Sequence, residues 1–193
     1  AKYDSLGNYI ASFHLEGNGA GYANDIHVAA NGDVLIAGRF SSICDFDPSA
    51  STSNLNAISG QDGFIAKYDS NGNFVWVRHI GETGGYCDIT AIDIDQSGNI
   101  VVGGVYVNDT DIDPSPNTHL LTGSGRGIFL AKYNALGEFI WAHGDTCSAS
   151  QAYINDIQSD NDFDDIYITG AYGTNFDFEP GSGSTSLTST ASY

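Results

Sequence analysis

Phe64-Ile65-Ala66-Lys67-Tyr68-Asp69-Ser70-Asn71-Gly72-Asn73-Phe74-Val75-Trp76 decides the reading of this chain. An apolar run, a cluster of turn-forming residues and a second apolar run follow one another within thirteen positions. Short β-prone segments divided by Asp, Asn, Ser and Gly read as strand, tight turn, strand. The core of this stretch recurs. Ala1-Lys2-Tyr3-Asp4 and Ala131-Lys132-Tyr133-Asn134 flank Ala66-Lys67-Tyr68-Asp69 at spacings of 65 residues. Gly38, Gly104 and Gly170 stand 66 apart, as do Pro48, Pro114 and Pro180. Trp76 and Trp141 are 65 apart, with Ala11 where a third Trp would fall. A fixed beat of this length marks tandem copies of one structural unit.

Inside a unit the pattern is all-β. Asn73 to Ile80 reads as one strand, and Ile89 to Ile94 alternates apolar with polar residues as a half-buried strand does. Asp95-Gln96-Ser97-Gly98-Asn99 supplies turn chemistry, Ile100 to Tyr106 returns as the partner strand, and Gly127 to Tyr133 makes a fourth. Helical periodicity is absent. Four antiparallel strands in tandem repetition predict β-propeller blades: one repeat domain over 1–193, with units of about 1–65, 66–130 and 131–193. Stacked blades bury each other's faces, so stability lies between blades more than within them. The glycines at 38, 104 and 170 are expected where strands of neighbouring blades crowd together. An open β-solenoid, with much shorter rungs, is the competing architecture.

Propellers close with about four to eight blades, so three units make an incomplete propeller. Residue 1 falls inside a unit, and the third unit stops short of its fourth strand. Two readings follow. The chain is a segment of a larger propeller, as the lack of any Met also indicates, or copies complete one another head to tail as rings or filaments.

Composition narrows the partners. Six Lys and Arg against 24 Asp and Glu give a net charge of −18, which opposes nucleic acid and anionic membranes alike. Charged residues are 16% and hydrophobic residues 41%, with 12% aromatic, a folding composition and not that of an acidic tail. No apolar run is long enough to span a membrane.

The stretch from Phe64 to Trp76, with Asp45-Phe46-Asp47-Pro48 and Ser97-Gly98-Asn99-Ile100-Val101-Val102-Gly103-Gly104, resembles the SBBP-type β-propeller repeat family over nearly the whole chain. The resemblance implies a propeller fold in a secreted or surface bacterial protein, often large and multidomain, like those exported by Bacteroidota. It implies no particular reaction. The first unit departs most, with Ala11 for Trp and Ala29-Ala30 where the second unit begins its turn at Asp95.

The candidate chemistry lies in Asp45 and Asp47, Asp111 and Asp113, and Asp177 and Glu179, each pair preceding a Pro. On an extended segment, carboxylates at i and i+2 share a side, and two hard oxygens on one face suit Ca2+. The alternative is that Lys2, Lys67 and Lys132 neutralise these acids in ion pairs between strands. Asp93-Ile94-Asp95-Gln96-Ser97-Gly98 opens like a calcium loop, but Gly104 stands where a bidentate Glu is required. A hairpin turn uses the same residues, and Asp160 to Asp165 is its counterpart. His14 and His79 are equivalent in the repeat, His143 is shifted by one residue, His27 and His119 stand alone, and all five read as packing or surface residues. Cys44, Cys87 and Cys147 lack zinc-site spacing; an exported location permits one disulfide and leaves an odd thiol. The repeated Tyr3, Tyr68 and Tyr133 and Trp76 and Trp141 read as core. Nucleophile-elbow, P-loop and dinucleotide motifs are missing.

A catalytic pair should occur once, whereas these acids recur in every unit. The sequence therefore predicts an extracellular, non-catalytic structural or interaction propeller: a surface scaffold, adhesin or fibre subunit. Its partners would be further blades of the same chain or other copies of itself. A calcium-dependent carbohydrate-binding module contacting surface glycans, or the non-catalytic part of a glycan-cleaving propeller enzyme, are the alternatives.

Overall fold

In the computed structural model, residues 1–58, 60–81, 85–146, 152–160, 162–172, 176–177 and 185–187 are described. The first full sheet contains β1 (Gly21–Val28), β2 (Val34–Phe40), β3 (Asp62–Tyr68) and β4 (Phe74–Ile80). The second contains β5 (Tyr86–Ile94), β6 (Ile100–Val107), β7 (Arg126–Tyr133) and β8 (Phe139–Thr146). Both are antiparallel, with neighbours in chain order. A third pairs β9 (Tyr153–Asp160) with β10 (Asp165–Ala171). A small hairpin, Lys2–Tyr3 with Tyr9–Ala11, precedes them. Every element of regular structure among the described residues is a strand.

The hydrogen-bonded sheets are offset by one strand from the units counted on Ala-Lys-Tyr. Phe74–Ile80 follows Ala66-Lys67-Tyr68 in the repeat count, yet it pairs back with β3 and closes the first sheet. The tight turn at Asp69 forces this: Asp69 and Asn73 are bridged by a backbone hydrogen bond, so the chain reverses at once onto its predecessor. The connection after β6 holds a short hairpin of its own, Thr110–Asp111 with Leu120–Leu121. Ile43–Asp45 with Asn54–Asn56 is its counterpart after β2, and Glu16–Gly17 joins it as a third strand.

The sheets stack through their inner strands, β1 against β5 and β5 against β9. Leu35, Ala37 and Ile65 of the first sheet meet Ile89, Ile92, Val102, Phe129 and Ala131 of the second in one buried core. Ala91, Val101, Val105 and Ile128 on its other face bury Ala152, Ile154 and Ile157 of the third. Burial on both faces explains why β6 is almost wholly apolar, without polar alternation.

Each inner strand carries one extra residue. Register slips between Ala23 and Asp25, between Ile89 and Ala91, and between Ile154 and Asp156, a β-bulge in each sheet. Opposite these bulges lie Gly38, Gly104 and Gly170. A Cβ at any of the three would overlap a carbonyl oxygen of the adjacent strand, of Tyr22, Asp88 or Tyr153. The recurring glycines therefore answer a bulge inside each sheet, which corrects the expected crowding between blades.

Candidate functional site

The Asp-x-Asp-Pro carboxylates sit in the small hairpins and accept hydrogen bonds from their own backbone. Asp45 Oδ1 accepts the N–H groups of Asp47 at 3.0 Å and Ser53 at 2.8 Å, and Asp47 accepts that of Ser49 at 2.9 Å. Asp111 Oδ1 accepts from Asp113 at 3.1 Å and His119 at 2.9 Å, and Asp113 from Ser115 at 2.9 Å. Asp177 Oδ1 accepts from Thr185 at 2.9 Å; Glu179 and Pro180 lie outside the described residues. The first Asp of each motif thus bonds to the residue eight positions on, three times over. These are the side-chain-to-backbone bonds by which Asp closes turns.

A buried tyrosine clamps each of the first two hairpins. Tyr68 Oη donates to the Phe46 carbonyl at 2.9 Å, and Tyr133 Oη to that of Ile112 at 2.8 Å. The Tyr of Ala-Lys-Tyr and the middle residue of Asp-x-Asp, about 22 residues apart in sequence, are therefore in direct contact. Burial pushes both phenols above their ordinary range. Tyr68 and Tyr133 are core as expected, whereas Tyr3 is exposed. Trp76 and Trp141 are half-buried; Trp76 lies under the Arg78 guanidinium and Trp141 stacks on His143.

The lysines do not reach these acids, contrary to the expected ion pairs. Lys67 Nζ meets Asp33 at 3.0 Å, and Lys132 Nζ meets Asp95 at 2.7 Å, both in turns between inner strands. Lys2 donates to the Ser70 carbonyl. At five hairpin turns a backbone bond joins the first residue to the fifth, and a glycine with φ between 75° and 87° takes the fourth position. Asp4, Asp69 and Asp95 cap three of these through Asn8, Asn73 and Asn99. The divergent first unit has Ala29 at the first position and keeps its carboxylate at the fifth, Asp33. Either placement gives the lysine of the adjacent strand an anion. The Lys67 ammonium, with the Asn31 amide, lowers the Asp33 pKa. Burial alone would raise that of Asp95, but bonds from Lys132 and Asn99 outweigh it and the net shift is downward.

The second polar system escapes sequence reading because it crosses between sheets. The bulge residue Asn24 donates through Nδ2 to the Ile89 carbonyl at 2.8 Å and to Asp88 at 2.6 Å. Its equivalent, Thr90, donates to the Ile154 carbonyl at 2.6 Å. Asp25 accepts the Ile92 N–H at 2.8 Å, Asp93 accepts the Ser159 N–H, and His27 Nδ1 lies 2.8 Å from Asp93. Arg39 pairs with Asp88 and rests over the Tyr22 ring. The sequence signal was present in Tyr22-Ala23-Asn24-Asp25-Ile26 and its echo Tyr153-Ile154-Asn155-Asp156-Ile157.

Two histidines are more specific than packing residues. His27 joins the interface as above, and buried His79 holds Asp62 at 2.7 Å, with Asp62 also accepting the Ile58 N–H. At the corresponding places of the second sheet stand Gly144 and Gly127, and the Tyr106 ring fills the space. Cys44 and Cys87 are buried free thiols, and Cys147 lies outside the described residues. Burial pushes the Cys44 thiol up to about 11 and raises that of Cys87 further. Among the described residues, no three His, Cys, Asp or Glu side chains converge as a metal-binding group. No described helix is long and apolar enough to cross a membrane.

Tandem antiparallel sheets, stacked face to face and joined by one recurring polar ladder, define an all-β repeat protein. A closed ring is not among the described features. The chain is 28% identical over 197 aligned residues to the uncharacterized WD repeat-containing protein L264 of Acanthamoeba polyphaga mimivirus. The match covers 90% of this chain and 14% of that relative, so the chain spans a small part of the protein it resembles. No family model matches.

Proposed function

We propose that this chain is a non-catalytic interaction module of the β-propeller type, acting as a scaffold at the cell surface or outside the cell. One observation carries the reading: the acids that recur with the repeat are bonded to the chain's own turns and to the neighbouring sheet. Asp45, Asp111 and Asp177 cap hairpins, Asp33 and Asp95 hold lysines, and Asp25 and Asp93 hold the next sheet. Such carboxylates are engaged in organising the chain's own turns and sheet contacts. The WD repeats in the relative's name fit an interaction role, and the resemblance to SBBP-type repeats supports the surface location. Calorimetry and hydrolysis assays with a glycan panel, each with and without Ca2+, test it. The expected result is no turnover and no Ca2+-dependent heat. Binding that needs Ca2+ and fails in Asp111→Ala would instead establish the carbohydrate-binding alternative, and turnover would establish an enzyme.

A further inference from the structure

The outer hairpins that complete the first and second sheets, β3–β4 and β7–β8, are nearly interchangeable. Their first strands carry Phe64 and Phe129, Ala66 and Ala131, Lys67 and Lys132, and Tyr68 and Tyr133 at matching places. They dock in one register, with Val34 of β2 facing Tyr68 and Ile100 of β6 facing Tyr133. Each finds the same reception: Asp33 or Asp95 for the lysine, and the Phe46 or Ile112 carbonyl for the tyrosine. These contacts do not distinguish one sheet from the other. Tandem copies so alike are liable to pair with the wrong neighbour during folding.

One buried set of side chains does distinguish them. In the first sheet Phe40 faces Asp62, and Phe64 faces His79. Asp62 is fully buried and His79 nearly so, 2.7 Å apart, and the His79 ring meets that of Phe40 at 5.1 Å between centroids. In the second sheet Tyr106 faces Gly127, and Phe129 faces Gly144. The buried Tyr106 ring takes the room that side chains there would need. A Cβ at 127 would lie 2.5 and 2.7 Å from its Cε1 and Cζ, and one at 144 would lie 3.1 Å from its Cε1. The two sets therefore exclude each other. Docked on β6, β3–β4 would drive Asp62 and His79 into Tyr106, an overpacked site. Docked on β2, β7–β8 would set two glycines beside Phe40, leaving a void and removing the carboxylate that accepts the Ile58 N–H.

We propose that Phe40, Asp62 and His79, set against Tyr106, Gly127 and Gly144, form a pairing key that assigns each outer hairpin to its own sheet. A buried charged pair is a poor source of net stability, but it selects a pairing well, because breaking it leaves a buried charge uncompensated. The key accounts for a departure from the repeat. The 65-residue pattern is broken inside the core, at a place where keeping it would leave the two hairpins free to exchange.

The lysines report where each hairpin has docked. The full chain is unfolded in urea, refolded, treated with a carbodiimide and mapped by mass spectrometry. Correct docking gives Lys67–Asp33 and Lys132–Asp95 cross-links; exchanged docking, within a chain or between copies, gives Lys67–Asp95 and Lys132–Asp33. The unaltered chain should give the correct pair almost alone. Phe40→Tyr with Asp62→Gly and His79→Gly gives both sheets the same set, and exchanged cross-links should rise by about tenfold or more. A purely structural role would lower the melting temperature and leave the identity of the cross-links unchanged. If circular dichroism shows that the triple variant does not fold, Tyr106→Leu decides, since loss of the ring opens the second sheet to Asp62 and His79 and should also raise the exchanged pair. Correct cross-links alone in the folded variant, or exchanged ones equally abundant in the unaltered chain, overturn the proposal. Neither outcome touches the scaffold reading, which the glycan and hydrolysis assays decide separately.

Discussion

The Tyr133 hydroxyl donates to the Ile112 carbonyl across a fully buried contact, joining the two motifs that recur most faithfully in this chain. The phenol stands on the last full strand pairing of the sheet and the carbonyl in a hairpin that leaves it, so one hydrogen bond fixes where the Asp-x-Asp-Pro hairpin folds back. Removing the hydroxyl in Tyr133→Phe strands the carbonyl in a dry site. A loss of about 1–3 kcal/mol in unfolding free energy by urea titration is expected. Tyr68→Phe, which frees the Phe46 carbonyl, should fall in the same range.

The same burial sets an alkaline limit. Tyr68, Tyr133, Cys44 and Cys87 hold their protons more tightly when folded than when unfolded, because burial opposes the charged form. Above pH 9, the ordinary thiol value, and more steeply above 10, the ordinary phenol value, the unfolded chain releases protons that the folded chain keeps. Stability is therefore full below pH 9 and falls as pH rises beyond it. A melting temperature that does not decline between pH 9 and 11 would contradict the buried placement of these groups.

Asp95 sets the acid side with the opposite sign. Its folded pKa lies below the ordinary 3.8, so its stabilisation is present above that value and is lost as pH falls through it. In Asp95→Ala, Lys132 loses its near partner and keeps Asp164 at 3.9 Å, while the Asn99 amide and N–H lose their acceptor. A cost of about 1–3 kcal/mol at pH 7, shrinking toward pH 3, is expected from denaturant melts at the two pH values.

Gly104→Ala and Gly103→Ala separate a glycine required by the bulge within a sheet from one that only faces the neighbouring sheet. A methyl at 104 meets the fixed Asp88 backbone at the bulge, whereas one at 103 meets the ends of the Ile157 and Ile154 side chains at 2.8 and 2.9 Å, which can rotate away. The first should cost about 3 kcal/mol or prevent folding, the second about 1–2 kcal/mol. Equal melting temperatures for the two variants would remove the bulge account.

What the sequence showed and what it hid divide along one physical line. Strands, turns and the 65-residue beat are written locally: Asp69 to Asn73 fixes a turn whatever surrounds it, and Val101-Val102 with Gly103-Gly104 announces a strand buried on both faces. Which acid meets which base is set by register between strands distant in sequence. Lys132 is nearer in sequence to Asp111 and Asp113 than to Asp95, yet the pairing of Ile100 with Tyr133 brings it to the turn beside Ile100 and not to the hairpin. Bulges are hidden for the same reason, since an extra residue in β5 has meaning only opposite β6. The unique His79–Asp62 pair is legible only after the second sheet shows glycine at both places.

Thr90 offers the sharpest measure of the ladder between sheets, because its hydroxyl donates to the Ile154 carbonyl at 2.6 Å and its methyl group can be kept. Thr90→Val preserves shape and deletes the donor, leaving that carbonyl facing an apolar group at the interface of the second and third sheets. A loss of about 1–2 kcal/mol is expected. Because each sheet rests on its neighbours, the loss should first appear as local opening: amide hydrogen exchange across Tyr153–Asp160 should accelerate while that of Gly21–Val28 stays unchanged. Exchange that speeds up equally in the first and third sheets would show that the three unfold as one unit, and exchange unchanged everywhere would show that the ladder contributes nothing.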